Sequence, residues 1–232
     1  MSPRGFAIII GAGPTSGAGI ARVLASPDHG NLAVALLARN PDNLSSLCSD
    51  LRKTSKGVFQ PFPTDTGADN LRRTFKEIAE HDDFKDLKLK LAIYHTYTTG
   101  AFVFAQEALK LFYAQNGGQT LLSETSGEKK GTIIFTGTLG AMRANVGFAA
   151  YGATRAAARM VSQAVAKEHS KFGVQCVHAI ANGGIIDADN EDTRTGKKMA
   201  AEEVGKTYLW LSQQPSSLWV HELDLRPAQE AF

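Results

Sequence analysis

A glycine-rich turn near the start of the chain, Gly11–Gly19, constrains the fold more than any other stretch of the sequence. It follows an apolar run, Phe6–Ile10, and leads into a helix-like stretch, Ile20–Ala25. A buried strand, a glycine turn and a helix start form a phosphate cradle, because the glycines let the backbone approach a diphosphate and the free N–H groups of the helix point at its charge. The stretch therefore predicts a dinucleotide site, with a tight turn that binds nothing as the simpler alternative.

The residue after the second apolar run indicates which dinucleotide is bound. Asn31–Ala38 has the pattern of a buried strand, and Pro41 ends it. An acidic residue at this strand end would accept hydrogen bonds from a ribose 2′-hydroxyl, whereas an arginine suits a 2′-phosphate. Arg39 stands there and favours NADP over NAD; the alternative is a solvated arginine at a strand end.

Apolar and amphipathic segments alternate along the rest of the chain. The patterns predict strands over 6–10, 31–38, 58–63, 89–94, 132–136, 174–180 and 218–225, and helices over 41–56, 68–81, 96–112, 148–171 and 199–214. Strands that alternate with helices imply a parallel sheet covered on both faces. We therefore expect an α/β protein with a doubly wound parallel sheet (Rossmann-type), in which residues 1–232 form a single domain.

Composition and charge argue against several classes of function. The net charge is +2 and the basic residues are scattered, which gives no reason to expect a nucleic-acid partner. The two cysteines form no CxxC pair, the six histidines show no ligand spacing, and no apolar run reaches membrane-spanning length. We therefore expect neither a metal site nor a membrane partner. The first strand starts almost at the N-terminus, which leaves no room for a signal peptide and favours the cytoplasm.

Taken together, the motifs resemble the short-chain dehydrogenase/reductase family along nearly the whole chain. Gly13, Gly17 and Gly19 match the spacing of that family's nucleotide turn, and Asp65 lies where the family places an aspartate against adenine. The closing stretch Trp219–Pro227 also resembles a branch with fungal and bacterial members. With the arginine after the second strand, the resemblance implies an NADP site formed by Gly13, Thr15, Ser16, Gly17, Gly19, Arg39, Asp65, Tyr151, Arg155 and Gly183.

The same resemblance implies a catalytic group. Tyr151-Gly-Ala-Thr-Arg155 falls on the family's Tyr-x-x-x-Lys motif, and Thr138, 13 residues earlier, falls on its active-site serine. A phenol has an unperturbed pKa of about 10, so a cation one helical turn away is needed to favour phenolate near neutral pH. The implied activity is hydride transfer between NADP(H) and a small-molecule carbonyl or alcohol, with Tyr151 as acid and base, Arg155 as its electrostatic support and Thr138 as anchor of the substrate oxygen.

Besides the threonine at position 138 in place of serine, the chain departs from the family pattern at three places. Arg155 replaces the lysine; it keeps the positive charge, but it stays protonated and cannot pass a proton along. Asp187 stands where the family has a threonine that contacts the nicotinamide end. After the fourth predicted strand, roughly two dozen residues of the usual pattern are absent, and Tyr97 stands near the place of the helix asparagine. We expect Thr96 to cap the next helix and the sheet to close nonetheless.

These departures leave alternatives open. The arginine in place of lysine and the short connection favour a nucleotide-binding protein that has lost turnover and acts as a sensor or assembly partner. A different reaction on the same scaffold, an epimerase or a lyase, is a third interpretation. Family members form dimers or tetramers, and the apolar helix over 101–112 suits such a homo-oligomer, whereas Met199–Leu211 suits a lid helix.

Overall fold

The computed structural model describes residues 2–94, 98–143 and 145–230 of the chain. In chain order its elements are β1 (Phe6–Ile10), α1 (Ser16–Ala25), β2 (Ala33–Ala38), α2 (Pro41–Thr54), β3 (Phe59–Pro63), α3 (Ala68–Glu80), β4 (Leu89–Tyr94), α4 (Thr98–Gln115), β5 (Gly131–Gly137), α5 (Ala149–His169), β6 (Val174–Ala181), β7 (Ile185–Ile186), α6 (Glu191–Arg194), β8 (Met199–Ala200), α7 (Ala201–Gln213) and β9 (Glu222–Leu225). Seven strands form one parallel sheet in the order β3-β2-β1-β4-β5-β6-β9. The predicted doubly wound α/β fold is confirmed.

The two faces of the sheet bury separate helical layers. Alternate residues of a strand point to opposite faces, and β1 shows this with two neighbours. Ile8 belongs to an apolar cluster shared with α3, α4 and α5, whereas Ile9 belongs to a cluster shared with α1, α2 and α7. Both residues are fully buried, so the strands form the middle layer of a three-layer core.

Most predicted elements differ from the structure by a few residues at their ends, and two strands begin later for a visible reason. The strand predicted from Asn31 begins at Ala33, because Asn31 has a φ of 47° and belongs to the preceding turn. The strand predicted over 218–225 shortens to Glu222–Leu225, because the N–H of Leu218 closes a turn on the carbonyl of Pro215. The polar segment after β6 is partly regular, since β7 pairs with β8 around the short helix α6.

The order of the strands places a crevice after β1. The chain runs outward from β1 to β2 and β3 and then crosses to β4 on the other side of β1. Open α/β sheets bind ligands at such a switch point, beyond the carboxyl ends of the strands. The glycine turn follows β1 directly, and Gly11 adopts a φ of 83°, which favours glycine. The first motif of the sequence therefore lies at the expected edge.

The sheet closes around the short connection after β4. β4 pairs with β1 on one side and with β5 on the other, and α4 begins at Thr98. The predicted cap Thr96, and Tyr97 near the place of the family's helix asparagine, lie outside the described residues. Within the described ranges, no helix has the length and apolar character that a membrane span needs.

Candidate active site

A cavity of about 780 Å³ lies at the carboxyl edge of the sheet, beside the glycine turn. It unites four predicted site residues from separate parts of the chain, Gly13, Arg39, Asp65 and Arg155. Its remaining lining comes from the ends of β1, β2 and β3 and from α2: Ile10, Gly11, Ala12, Pro14, Ala38, Asn40, Asn43, Leu44, Ser46, Leu47, Asp50, Thr64 and Thr66. Most of this lining belongs to the first third of the chain, whereas Arg155 comes from α5.

The glycines of the turn have three different surroundings. A Cβ atom on Gly13 would meet no atom within 4 Å, so this side of the turn is open to an approaching group. A Cβ on Gly17 would lie 2.9 Å from the Cα of Ala12, so a side chain here would push the turn away from the helix. A Cβ on Gly19 would collide with Ala201 of α7. The sequence pattern groups these glycines as cofactor residues, but Gly19 also serves the packing of α1 against α7.

The N-terminus of α1 directly follows the turn. Thr15 is its N-cap residue, yet among the described residues the Thr15 side chain makes no capping hydrogen bond, and the first turn, which begins at Ser16, carries no acidic residue. The positive end of the helix dipole is therefore not neutralised by the chain itself. Thr15 and Ser16 do not line the cavity but follow Pro14, which does. This arrangement suits a phosphate.

Arg39 follows β2 immediately, and local sequence fixes its position. The side chain of Asn40 accepts a hydrogen bond from the N–H of Asn43 at 2.9 Å, and Pro41 occupies the first helical position, so α2 starts right behind the arginine. Arg39 is exposed and lines the cavity. Within the described part of the chain, its guanidinium has no hydrogen-bond or ion-pair partner. A cation without a protein partner is available to an anion in the cavity.

Asp65 lies two residues beyond β3, with an exposed carboxylate at the cavity. One carboxylate oxygen accepts hydrogen bonds from the side chain of Asn70 at 2.9 Å and from the N–H of Gly67 at 2.8 Å. The hydrogen bond from Asn70, followed by that from Gly67, lowers the pKa of Asp65. The carboxylate is thus ionised and held in place, with its second oxygen available to a ligand.

Two hydroxyls that the sequence predicts to be catalytic lie close together, although neither residue lines the cavity. Thr138 Oγ1 lies 3.0 Å from Tyr151 Oη, although the residues belong to different elements. Thr138 follows β5 and caps a short 3-10 helix, Leu139–Ala141, by accepting the N–H of Gly140 at 3.2 Å. A Cβ on Gly140 would lie 2.8 Å from the ring of Tyr151, so this glycine allows the phenol to approach the threonine.

Arg155 lies between the cavity and the hydroxyl pair and contacts both. Its guanidinium carbon lies 5.1 Å from the centroid of the Tyr151 ring, one helical turn away on α5, and the same side chain lines the cavity. This is within the range of a cation–π contact. Arg155 therefore provides positive charge next to the phenol and can also reach a ligand in the cavity.

Asp187 pairs with a cation on another element, α1. It makes a bidentate ion pair with Arg22 of α1, at 2.7 and 2.9 Å, and Arg22 also contacts Glu202 of α7 at 3.1 Å. The hydrogen bonding of Arg22 to the Asp187 carboxylate is the main cause of the raised pKa of Arg22. Gly183, predicted to act through its backbone, has a φ of 130°, and a Cβ there would meet Pro227 at 2.6 Å. The backbone itself therefore requires glycine at this position.

A polar network that includes a side chain of α5 matches no recognised sequence motif. Arg159 donates two hydrogen bonds to Glu222 of β9, at 2.6 and 2.8 Å, and Glu222 also lies 3.0 Å from Nδ1 of the buried His178. Arg159 lies four residues after Arg155, as Arg155 lies four residues after Tyr151. This repeated spacing is the sequence signal that could have indicated Arg159. The network ties the helix that carries the phenol to the last two strands of the sheet.

Comparisons with known proteins identify the family of the chain. The sequence profile of the family described as short chain dehydrogenase matches residues 72–198, more than half of the chain. An uncharacterised oxidoreductase from Staphylococcus epidermidis is 24% identical over 229 residues, which cover 95% of this chain and 96% of the relative. The chain belongs to the short-chain dehydrogenase family, whose members are oxidoreductases that use a nicotinamide dinucleotide and act on small molecules.

Solved structures share the fold over nearly the whole chain. A short-chain dehydrogenase from Rhodopseudomonas palustris superposes with a TM-score of 0.73 and 22% identity, covering 96% of this chain and 98% of that one. An alcohol dehydrogenase from Thermococcus sibiricus, complexed with 5-hydroxy-NADP, has a TM-score of 0.71 and 19% identity, covering 98% of both chains. At this identity the likeness establishes the fold.

Proposed function

We propose that the protein is an NADP(H)-dependent oxidoreductase that transfers a hydride between nicotinamide and a carbonyl or alcohol substrate, with Tyr151 as acid and base. The observation that carries this proposal is the 3.0 Å separation of Thr138 Oγ1 and Tyr151 Oη. Two hydroxyls at this distance can contact a single substrate oxygen, and one of them can exchange a proton with it. Family membership supports this class of reaction, and the close approach of the two hydroxyls supports Thr138 and Tyr151 as its site.

The cavity fits a phosphorylated dinucleotide. Gly13 leaves its side of the turn open, Arg39 offers a guanidinium that no described group neutralises, and the cavity measures about 780 Å³. Arg39 would hold the 2′-phosphate and Asp65 the adenine, while the N-terminus of α1, with Thr15, Ser16, Gly17 and Gly19, would face the diphosphate. Arg155 and the backbone of Gly183 would lie toward the nicotinamide. When bound, the reduced cofactor NADPH would supply the hydride for reduction, and the oxidised form would accept it in the reverse direction.

The residues at the catalytic end then divide the proton chemistry. In the direction of reduction, Tyr151 Oη gives its proton to the carbonyl oxygen, and Thr138 Oγ1 holds that oxygen beside the phenol. Arg155 stabilises the phenolate that remains, because its cation lies 5.1 Å from the ring. A guanidinium does not release its proton, so Arg155 is an electrostatic partner and Tyr151 regains a proton from water.

The Tyr151→Phe variant tests the catalytic assignment. With NADPH and a panel of aldehydes and ketones, we expect kcat to fall by at least about 100-fold, since the acid and base is removed. Tyr113→Phe is the matched control, because Tyr113 bonds to His169 between α4 and α5 and has no place in the cleft. Activity that persists in Tyr151→Phe, or an equal loss in both variants, would contradict the assignment.

A nucleotide-binding protein without turnover is the second candidate. The observation that favours it is Arg155 itself, which replaces the lysine of the family motif and cannot relay a proton. Titration of the wild-type protein with NADPH, followed by nicotinamide fluorescence, separates the two candidates. Saturable binding with no oxidation of NADPH across the carbonyl panel would favour the sensor over the enzyme.

We further propose that residues 1–232 act as one domain, that the protein works in the cytoplasm and that it is a homo-oligomer. Phe102 on α4 is 57% exposed and Met160 on α5 is 53% exposed, which suits a contact between copies. Sedimentation velocity tests the assembly, and a single monomeric species across the concentration range would overturn it. Both cysteines are free and buried, which agrees with a reducing compartment.

A further inference from the structure

A buried histidine contacts the end of the strand that leads into Thr138. His178 of β6 is only 1% exposed. A Cβ atom on Gly137, the last residue of β5, would lie 2.1 Å from Nε2 of the histidine ring. The imidazole therefore occupies the space that a side chain at position 137 would need. Because Thr138 follows Gly137 directly, the ring is packed against the backbone that carries the first of the two hydroxyls.

A carboxylate holds another edge of the same ring. Nδ1 of His178 lies 3.0 Å from Oε2 of Glu222. An ionised carboxylate can only accept hydrogen bonds, so Nδ1 carries the ring proton and donates it to this bond. Glu222 also accepts two hydrogen bonds from Arg159 of α5, the helix that carries Tyr151 about two turns earlier. The ring is thus linked to the helix of the phenol as well as to the end of β5.

Packing alone does not account for a histidine at this position. Nε2 of His178 is buried and has no hydrogen-bond partner among the described residues. Such a nitrogen has lost its contact with water, a cost that an apolar side chain of similar size would avoid. A functional role is one reason why proteins retain a buried polar atom without a partner. The place of this atom, against the residue before Thr138, indicates which function the ring serves.

We propose that His178 is a positioning residue, whose ring sets the distance between Thr138 Oγ1 and Tyr151 Oη. Its contact with Gly137 fixes the end of β5, and its hydrogen bond to Glu222 fixes the ring relative to α5. The proposal rests on the proposed function, which assigns the proton chemistry to the two hydroxyls; His178 takes no part in that chemistry itself. Both hydroxyls must contact one substrate oxygen, so a displacement of about 1 Å in either costs on the order of 100-fold in rate.

Gly137→Ala and His178→Asn test the contact from its two sides, in the full-length protein with NADPH and the carbonyl panel. The methyl group of Gly137→Ala collides with the ring, so we expect kcat to fall by about 100-fold while the Kd for NADPH is unchanged. Asparagine at position 178 keeps an N–H for Glu222 but lacks the outer part of the ring. The double variant therefore has room for the methyl group, and its kcat should recover at least about tenfold over Gly137→Ala.

Gly131→Ala is the matched control for a collision within the same strand. Gly131 is the first residue of β5, and a Cβ atom there would lie 2.1 Å from the ring of Phe112. We expect its free energy of unfolding in urea to fall as much as that of Gly137→Ala, but its kcat to stay at the wild-type value, because the collision lies at the far end of the strand from Thr138. Equal losses of kcat in the two variants would overturn the proposal.

Crystal structures of the wild type and the variants measure the distance between the two hydroxyl oxygens without any turnover. We expect this distance to exceed hydrogen-bond range in Gly137→Ala and to return to it in the double variant. An unchanged distance in Gly137→Ala, or a double variant no more active than Gly137→Ala, would overturn the proposal. If Gly137→Ala does not fold, His178→Asn decides alone: kcat about tenfold lower is expected, because the end of β5 loses the ring that supports it, and a wild-type kcat would overturn the proposal.

The two readouts separate this proposal from the proposed function. If the wild type reduces carbonyls and Tyr151→Phe does not, but the distance between the hydroxyls is the same in Gly137→Ala, His178 has no positioning role and the oxidoreductase proposal stands. If the wild type reduces no carbonyl, the oxidoreductase proposal fails. A distance that lengthens in Gly137→Ala and recovers in the double variant would then establish that His178 positions the hydroxyl pair, independently of the reaction.

Discussion

The proposed nucleotide end of the site (Gly13, Arg39 and Asp65) and its proposed catalytic end (Thr138 and Tyr151) are assembled differently. Each residue of the nucleotide end lies within three residues of the end of a strand in the parallel sheet. The catalytic pair joins the end of β5 to a helix, and its 3.0 Å contact depends on how α5 packs over the sheet. Local sequence therefore determines where the residues of the nucleotide end lie, whereas tertiary packing determines the contact between Thr138 and Tyr151.

This difference predicts how substitutions will act. A change at the nucleotide end alters ligand affinity with little effect on the free energy of unfolding, because those side chains face an open cavity. A change in the side-chain contacts of the second half of the chain alters the free energy of unfolding, because these contacts join helices to other helices and to strands. Four measurements can break or sharpen this comparison.

The largest contrast lies within the glycine turn. Gly19→Ala places a methyl group against Ala201, so we expect the free energy of unfolding to fall by about 1–3 kcal/mol in urea. Gly13→Ala meets no atom and its φ is not positive, so stability should hold while NADPH affinity falls, because the methyl group stands where the phosphate approaches. Equal losses in the free energy of unfolding in the two variants would show that Gly13 and Gly19 do not differ in how closely they are packed.

Charge reversal after β2 should give the next largest effect. In Arg39→Asp we expect NADPH affinity to fall by about 10- to 100-fold, with NADH affected much less, because a charge-assisted bond to the 2′-phosphate is lost. Arg4→Asp, before β1 at the opposite edge of the sheet, is the control for net charge. Fluorescence titration with both dinucleotides gives the ratio. Parallel losses for NADPH and NADH would remove the NADP assignment.

The ion pair between Arg22 of α1 and Asp187, which follows β6, tests how much contacts in the second half of the chain contribute to the free energy of unfolding. The Arg22 and Asp187 side chains are 28% and 16% exposed, and Asp187→Asn should lower the free energy of unfolding by about 1–2 kcal/mol. Asp189→Asn is the control, because its partner Arg194 and Asp189 itself are 63% and 85% exposed. If Asp187→Asn changed cofactor affinity and left stability alone, the carboxylate would belong to the cofactor site after all.

The smallest effect concerns pH and the buried His178. Burial lowers its pKa, against the opposing influence of Glu222, so the folded protein resists protonation of this ring. A depressed folded pKa means that stability is lost as pH falls below the unfolded value of about 6.5, where the unfolded chain takes up the proton first. His178→Gln should therefore make the free energy of unfolding less dependent on pH between about 6.5 and 5.

Urea unfolding across this pH range is the measurement, and His29→Gln is its control, since His29 is exposed. The hydrogen bond from Arg159 is the main cause of the lowered pKa of Glu222. The contribution of this carboxylate to the free energy of unfolding is therefore lost only at lower pH, as the pH falls below the usual pKa of a glutamate. An unchanged pH dependence in His178→Gln would show that the network on α5 does not respond to protonation.

The sequence predicted most of the fold and much of the candidate site. β1 and β4 have their predicted bounds, because short buried runs between turn residues define strands locally. The cavity at the switch point unites Gly13, Arg39 and Asp65 for a related reason, since each follows a strand of a parallel sheet. The chemical roles of these residues stay predictions, which the binding measurements address.

By itself, the sequence determined the order of strands and helices, the open turn and the one-turn spacing of Tyr151 and Arg155. Only the tertiary structure decided that Asp187 pairs with Arg22, 165 residues away, and that Phe148 stands exposed beside the phenol. The reason is physical: hydrophobic period, turn chemistry and helical spacing act over a few residues. Which side chains come into contact between two elements depends on how those elements pack, and the residues adjacent in sequence do not determine that packing.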